Sequence, residues 1–196
     1  MWEYRVCWTN RPSWWDLAWN NPTRLARERR VDTYWIVDGR PDLGIKLRGG
    51  QAPLEIKVRY QRNAGWELWE KVIVQTWSPL ESVRSAALLQ TQPMFAADST
   101  EPARGFERLL TGAGLPWREH AVRKTRLQAD ARSLLTQVPT LSIGRNCLAE
   151  LVEFQVDQRD ERVWSLCFEW ATPVPITHIH PDGDAVVCGY PELLSR

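Results

Sequence analysis

A chain of 196 residues with 43% apolar content is long enough to bury a core, which excludes a disordered or fibrous protein and predicts one domain over 1–196. Lys and Arg number 25 against 24 Asp and Glu, a balance that argues against nonspecific attachment to nucleic acid or a membrane surface, so any basic character has to be local. No stretch approaches the roughly 20 apolar residues of a membrane span, MWEYRVCW lacks a secretory layout, and Cys7, Cys147, Cys167 and Cys188 show no C-x-x-C spacing, so buried, reduced thiols in a cytoplasmic protein are expected.

Along the chain, Trp2, Tyr4, Val6 and Trp8 alternate with Glu3, Arg5 and Cys7, the period-two pattern of a strand with two unlike faces. A polar connection through Asn21-Pro22 leads to a second strand over 32–37. Asp38-Gly39 reads as a turn, and strands are predicted over 42–48 and 54–60, separated by a Gly49-Gly50 hairpin turn. A turn over 63–65 precedes a strand over 66–76. Spacing then becomes helical: LESVRSAALLQ predicts a helix over 80–90. STEPARGFERLLTGAGLP, with a proline and acids in its first turn and Gly112 at its stop, predicts a second helix despite Gly105. Strands follow over 118–128, 141–143, 147–157 and 163–170, with a short helix over 129–136 and a turn over 158–161. The twelve tryptophans are scattered, mostly at strand positions, and read as packing between layers rather than as a platform for a ligand. The fold class expected is α+β: a mainly antiparallel closed β-barrel of about eight strands with helical insertions.

Basic residues recur in pairs at spacing two: Lys46 with Arg48, Lys57 with Arg59, and Lys124 with Arg126. Strand spacing puts both members of a pair on one face, about 7 Å apart. In a closed barrel of about eight strands every second residue points inward, around a space suited to one small ligand. Cations crowded there, with Arg5 beside them, repel one another unless anions intervene. Glu3, Glu55, Glu67, Glu153 and Glu169 alternate into equivalent positions and offset part of this; phosphate oxygens match the remainder, since Arg donates in a bidentate fork and Lys supplies a point charge. Carboxylates beside phosphates would suit Mg²⁺ or Mn²⁺.

The order of these motifs resembles the CYTH superfamily, the triphosphate tunnel metalloenzymes, across almost the whole chain. DTYW at 32–35 is similar to that family's second strand; IKLR and LEIKV are similar to its basic strands, and FERLLTGAGLPWREHAVRKTR to its helix, glycine break and Lys-x-Arg strand. LAELVEFQV and WSLCFEWA resemble its acidic strands, and GYPELL its terminal segment. The resemblance implies a small polyphosphate or triphosphorylated ligand bound by Arg5, Lys46, Arg48, Lys57, Arg59, Lys124 and Arg126. It implies a divalent Mg²⁺ or Mn²⁺ on Glu3, Glu153 and Glu169, with Glu150 an alternative to Glu153, and hydrolysis or cyclisation of the triphosphate. A catalytically inactive domain that binds a phosphorylated ligand, or acts as a sensor or scaffold, is the second reading. The N-terminal strand departs from the family's Glu-x-Glu-x-Lys. With Arg5 in the lysine slot, Glu3 is the second glutamate; with Glu3 first, Arg5 replaces a metal ligand and Cys7 the lysine. On the late acidic strand Glu169 fits, while the position two before it is Cys167.

Four other features carry less weight. THIHPDGD places His178 and His180 near Asp182 and Asp184 but reads as a polar turn. Gly49-Gly50 lacks the strand-to-helix layout of a phosphate loop, and no G-x-S-x-G accompanies His120. An apolar-ligand barrel would draw on the tryptophans but leaves the basic pairs unexplained.

Overall fold

The computed structural model describes residues 1–20, 26–92, 101–131, 147–157, 160–172 and 184–196. Its elements in chain order are β1 (Trp2–Trp8), α1 (Trp15–Trp19), β2 (Ala26–Val37), β3 (Leu43–Arg48), β4 (Gln51–Asn63), β5 (Trp66–Val74), α2 (Pro79–Leu89), α3 (Pro102–Gly112), β6 (Trp117–Asp130), β7 (Leu148–Val156), β8 (Arg162–Trp170), β9 (Val186–Val187) and α4 (Tyr190–Leu194). The hydrogen-bonded strand order is β5-β4-β3-β2-β6-β7-β8-β1-β9, and β5 also pairs β1. That last pairing closes a circuit of eight strands, so the fold is a closed antiparallel barrel with a small extra strand and helical insertions, which fits the tunnel fold.

Local chemistry explains the boundaries. Gly49 and Gly50 both have positive φ, 60° and 70°, which a tight turn between β3 and β4 requires and which only glycine adopts without strain. The fifth strand stops at Val74 because Ser78 caps the next helix, accepting from the Glu81 backbone N–H at 3.2 Å, with Pro79 in the first turn. Strands β2 (Ala26–Val37), β4 (Gln51–Asn63) and β6 (Trp117–Asp130) run longer than the periodicity predicted. Ala129 and Asp130 extend β6 rather than opening a helix, and the predicted piece at 141–143, most of the helix at 129–136, residues 158–159 of the predicted turn, and His178, His180 and Asp182 lie outside the described residues.

Contacts divide the chain into two compact units: Met1–Arg30, Tyr60–Trp69 and Val122–Gly189 form the first, and Val31–Arg59, Glu70–Ala121 and Tyr190–Arg196 the second. In the first, Tyr4, Val6, Trp8, Trp66, Leu127, Ala149, Leu151, Leu166 and Phe168 form an apolar sheet face that packs against Trp15 and Ala18 of α1. In the second, Trp35, Val37, Leu43, Ile45, Leu54, Ile56 and Val74 pack against Ala86 and Leu89 of α2 and Phe106, Leu109 and Leu110 of α3. Both apolar faces therefore carry helices. The interior of an eight-stranded barrel has room for side chains or one small ligand but not for helices, so the helix-bearing faces are the outer ones. The alternate positions, which hold Arg5, Lys46, Glu55, Lys124 and Glu150, are the inner ones. Burial agrees: Arg5, Glu55, Glu67, Lys124 and Glu150 are each at most 7% exposed. Tryptophans serve the outer layer, with Trp8, Trp15, Trp35, Trp66 and Trp77 all buried in these clusters. Among the described residues, no helix is long and apolar enough to cross a membrane.

Candidate functional site

Register sorts the inner face of the first unit into rows two residues apart, about 7 Å along the strands. One row is acidic: Asp130 on β6 lies opposite Leu148, Leu148 opposite Glu169, Glu169 opposite Glu3, and Glu3 opposite Glu67. Like charges directly opposite one another on neighbouring strands repel. Glu67 has local compensation, accepting from Arg62 Nη2 at 2.6 Å and from Trp69 Nε1 at 3.2 Å.

The next row holds Gln128, Glu150, Cys167 and Arg5 in successive register. Arg5 donates through Nη2 to Glu150 Oε1 at 3.3 Å and through Nη1 to the Ser165 hydroxyl at 3.2 Å. Glu150 Oε2 accepts from Arg126 Nη1 at 3.2 Å and from Gln128 Nε2 at 3.4 Å. Arg126 also ion-pairs with Glu28. Further along β6, Lys124 is 5% exposed. Three of the cations singled out in the sequence, Arg5, Lys124 and Arg126, thus share one buried face, and two of them share one carboxylate.

Glu153 is elsewhere. It alternates with Leu151 onto the apolar outer side, lies opposite Thr125 and Trp164, and accepts from Arg162 at 3.0 Å. Glu150, the alternative, is the acid of this strand that faces the cations, because the one-residue difference reverses the side chain's face. Glu3 and Glu169 stay together, and Cys167 joins them: its sulfur and one carboxylate oxygen from each lie within 4.8 Å of one another. Burial pushes the Cys167 thiol well above its usual range; Arg5 opposes this, while Glu3, Glu169 and Glu150 add to it. The expected Mg²⁺ or Mn²⁺ favours oxygen ligands, and a donor set of two carboxylates and a thiol does not fit that preference.

In the second unit the basic pairs face away from α2 and α3. Glu55, 4% exposed, accepts from Arg48 Nη2 at 3.2 Å and lies 3.5 Å from Lys46 Nζ. Burial pushes the Glu55 carboxyl up, but Lys46, Arg48 and Lys71 together hold it below the ordinary carboxylate range. Lys57, on the same face of β4, is half-buried. Arg59 Nη1 lies 3.7 Å from Glu192 Oε2 of α4, whose Tyr190 ring meets Tyr34 edge-on at 6.0 Å. His120, half-buried on β6, falls in this unit. Sequence reasoning missed α1, β9 and α4, and with α4 the contact of Glu192 to a candidate phosphate ligand. It also missed Ser165 and Gln128, which only register brings to Arg5 and Glu150.

All four cysteines are free and buried. Cys147 belongs to the apolar cluster, and its thiol is pushed up to about 11, mainly by burial. Cys7 hydrogen-bonds with Cys188 beside β1, and that bond together with burial raises its pKa.

No protein-family model matches the chain, and no curated protein matches it. Two of the solved structures similar to it are the following. One is a putative adenylyl cyclase from Hippeastrum, described as revealing a dominant triphosphatase activity, 12% identical with a TM-score of 0.44 over 88% of this chain and 80% of that one. The other is protein PH1819 from Pyrococcus horikoshii, 12% identical with a TM-score of 0.46 over 98% of this chain and 97% of that one.

Proposed function

We propose that this protein binds a triphosphate-bearing compound on the charged inner faces of its barrel strands and, with a divalent cation, hydrolyses or cyclises it. The observation that carries this reading is the placement of buried Arg5 and Lys124 with half-buried Arg126 on the face opposite the helix-covered core, Arg5 being one row from the acidic row of Glu3 and Glu169. A buried cation cluster is costly in an apolar interior and becomes favourable when phosphate oxygens share it. Arg5, Lys46, Arg48, Lys57, Arg59, Lys124 and Arg126 are assigned to phosphate oxygens, and Glu3 and Glu169 to the cation. Glu150 takes the place first given to Glu153, not as a cation ligand but as the carboxylate that holds Arg5 and Arg126 in position. Preorganised guanidinium and ammonium groups stabilise charge on the leaving phosphate oxygen without reorganising as it develops.

Phosphate release from tripolyphosphate, nucleoside triphosphates and thiamine triphosphate, assayed with Mg²⁺, Mn²⁺ and Zn²⁺ in turn, tests the proposal. Turnover on at least one is expected, with a loss of about a hundredfold or more in Arg5→Ala. Absence of turnover with every substrate and every ion removes the enzymatic reading. A second reading, binding without turnover, is favoured by a specific departure: β1 carries one glutamate, and Cys167 stands two positions before Glu169. Calorimetry separates the two, since a pure binder takes up tripolyphosphate without metal and releases no product.

A further inference from the structure

We infer that Glu3, Cys167 and Glu169 form a thiolate-containing cation site that selects a zinc-class ion over Mg²⁺. The inference deepens the proposed function and rests on it only for the ion's role beside a phosphate; the site itself stands on three observations. The first is position. Glu3 and Glu169 lie directly opposite each other on two hydrogen-bonded strands, and Cys167 follows two residues away on β8, so the backbone fixes all three donors on one face. Their donor atoms already lie within 4.8 Å of one another. Small rotations of the two glutamates bring them to the distances of about 2.3 Å for sulfur and about 2.0–2.2 Å for oxygen that zinc uses.

The second observation is the setting of the thiol. A buried cysteine ordinarily behaves as a small apolar residue, as Cys147 does within the apolar cluster. Cys167 is wholly buried on the opposite face, directly between Glu150 and Arg5 in register. Its S–H makes a long contact of 3.7 Å with the Phe168 carbonyl, which leaves the sulfur lone pairs uncommitted. The third is charge. Two carboxylates and a thiolate overcompensate a divalent ion by one charge; Arg5, opposite Cys167, offsets that charge, and Arg126 shares the neighbouring Glu150 with it. Three protein donors leave a fourth position of a tetrahedral ion open, the arrangement of catalytic rather than structural zinc sites. Loading exchanges one proton: the thiol S–H bond breaks, a sulfur–metal bond forms, and H⁺ passes to solvent. Mg²⁺, which holds oxygen ligands in near-ideal octahedra, gains nothing from the sulfur.

Titration of the metal-free protein with Co²⁺ tests this without reference to turnover. The expected result is a thiolate-to-cobalt charge-transfer absorption in the near ultraviolet that saturates at one equivalent. Stoichiometric Zn²⁺ abolishes it, a thousandfold excess of Mg²⁺ leaves it intact, and Cys167→Ser lacks it. No such absorption, its survival in Cys167→Ser on the Cys7–Cys188 pair, or its displacement by Mg²⁺ would overturn the assignment. Cys167→Asp supplies an all-oxygen set and should lower the zinc-over-magnesium preference, measured by calorimetry, at least tenfold; an unchanged preference also overturns it. If either variant fails to fold, the wild-type competition alone decides. An absorbing cobalt site in a protein that releases no phosphate keeps this inference and removes the enzymatic reading, whereas Mg²⁺-supported phosphate release without the absorption does the reverse.

Discussion

Replacing Glu150 by Gln isolates the carboxylate that Arg5 and Arg126 share. The side chain is 9% exposed, its two oxygens lie 3.3 and 3.2 Å from the two guanidinium groups, and Arg5 itself is 7% exposed. At an effective dielectric near 20, each contact is worth about 4 kcal/mol before desolvation. Breaking a buried pair by removing one partner costs about 3–5 kcal/mol, because the other charge is stranded. Glutamine keeps the shape and one accepting oxygen but turns an amide donor toward the second guanidinium, so a loss of about 3 kcal/mol is expected for Glu150→Gln. In a chain of this size that corresponds to about 6–12 °C in Tm. A purely structural ion pair ends there. If the two arginines await an anion, the variant also binds tripolyphosphate more tightly than the wild type, since the ligand no longer competes with a resident carboxylate. At a ligand concentration of a hundred times Kd, binding returns about 2.7 kcal/mol, which restores most of the loss. Thermal melts with and without tripolyphosphate, with Kd from calorimetry, provide the measurement. A Tm within 2 °C of wild type, or an affinity that falls along with stability, would refute the reasoning.

Further outcomes follow from the second unit. The Glu55 carboxyl is held below its usual range, so its contribution to stability is present above the unfolded pKa of about 4.3 and disappears as pH falls through the lower folded value; urea midpoints measured from pH 5 to pH 3 should fall less steeply in Glu55→Gln than in the wild type. Glu192 is 25% exposed and 3.7 Å from Arg59, so Glu192→Gln should change stability by at most about 1 kcal/mol, while removing one negative charge from beside Arg59 should tighten tripolyphosphate binding severalfold by calorimetry. A methyl group at Gly105 would meet the Trp77 ring carbons at 2.1–2.5 Å, so Gly105→Ala should cost about 2 kcal/mol by urea denaturation, overpacking outweighing the helix propensity gained.

The strands were legible because one face of each is apolar and the other charged, so period two survives in the sequence. The same contrast announced the inward cations Arg5, Lys124 and Arg126. It failed to give the inward face on β7, where LAELVEFQV sets Leu151 beside Val152 and Phe154 beyond Glu153, because the strand is apolar on its helix-covered side and partly apolar on the other. Alternation cannot choose between Glu150 and Glu153 in such a run, and only the pairing of Gln128 with Glu150 and of Thr125 with Glu153 decides. Short elements were missed for a different reason. The five residues of α1 and of α4 are too few to show a helical period, and the two of β9 too few to alternate; tertiary packing of Trp15 and of Tyr190 holds the helices in place. Gly105, which counts against a helix in isolation, is explained by the Trp77 ring against it.

The charges on the inner faces are segregated rather than mixed, and the segregation constrains what they bind. Asp130, Glu169, Glu3 and Glu67 follow one another in register with no basic residue among them. On β3 and β4, by contrast, Lys46, Arg48, Lys57 and Arg59 alternate against Glu55 as the one acid of those two strand faces. Ion pairs do form on these faces, with Glu55 opposite Lys46 in register and Glu150 in contact with Arg5 and Arg126, but they leave the acids of one row and the excess bases of β3 and β4 side by side. The acidic row gains from a cation and the basic strands gain from an anion, each lowering a repulsion built into the backbone register. A lone anion relieves only the basic strands, and a lone metal ion only the acidic row. Within the first unit Arg5 stands one row from Glu3 and Glu169 and directly opposite Cys167, so a polyphosphate chelated to a divalent ion meets both charges there: saturating Zn²⁺ should tighten tripolyphosphate, and tripolyphosphate should tighten Zn²⁺ by the same factor.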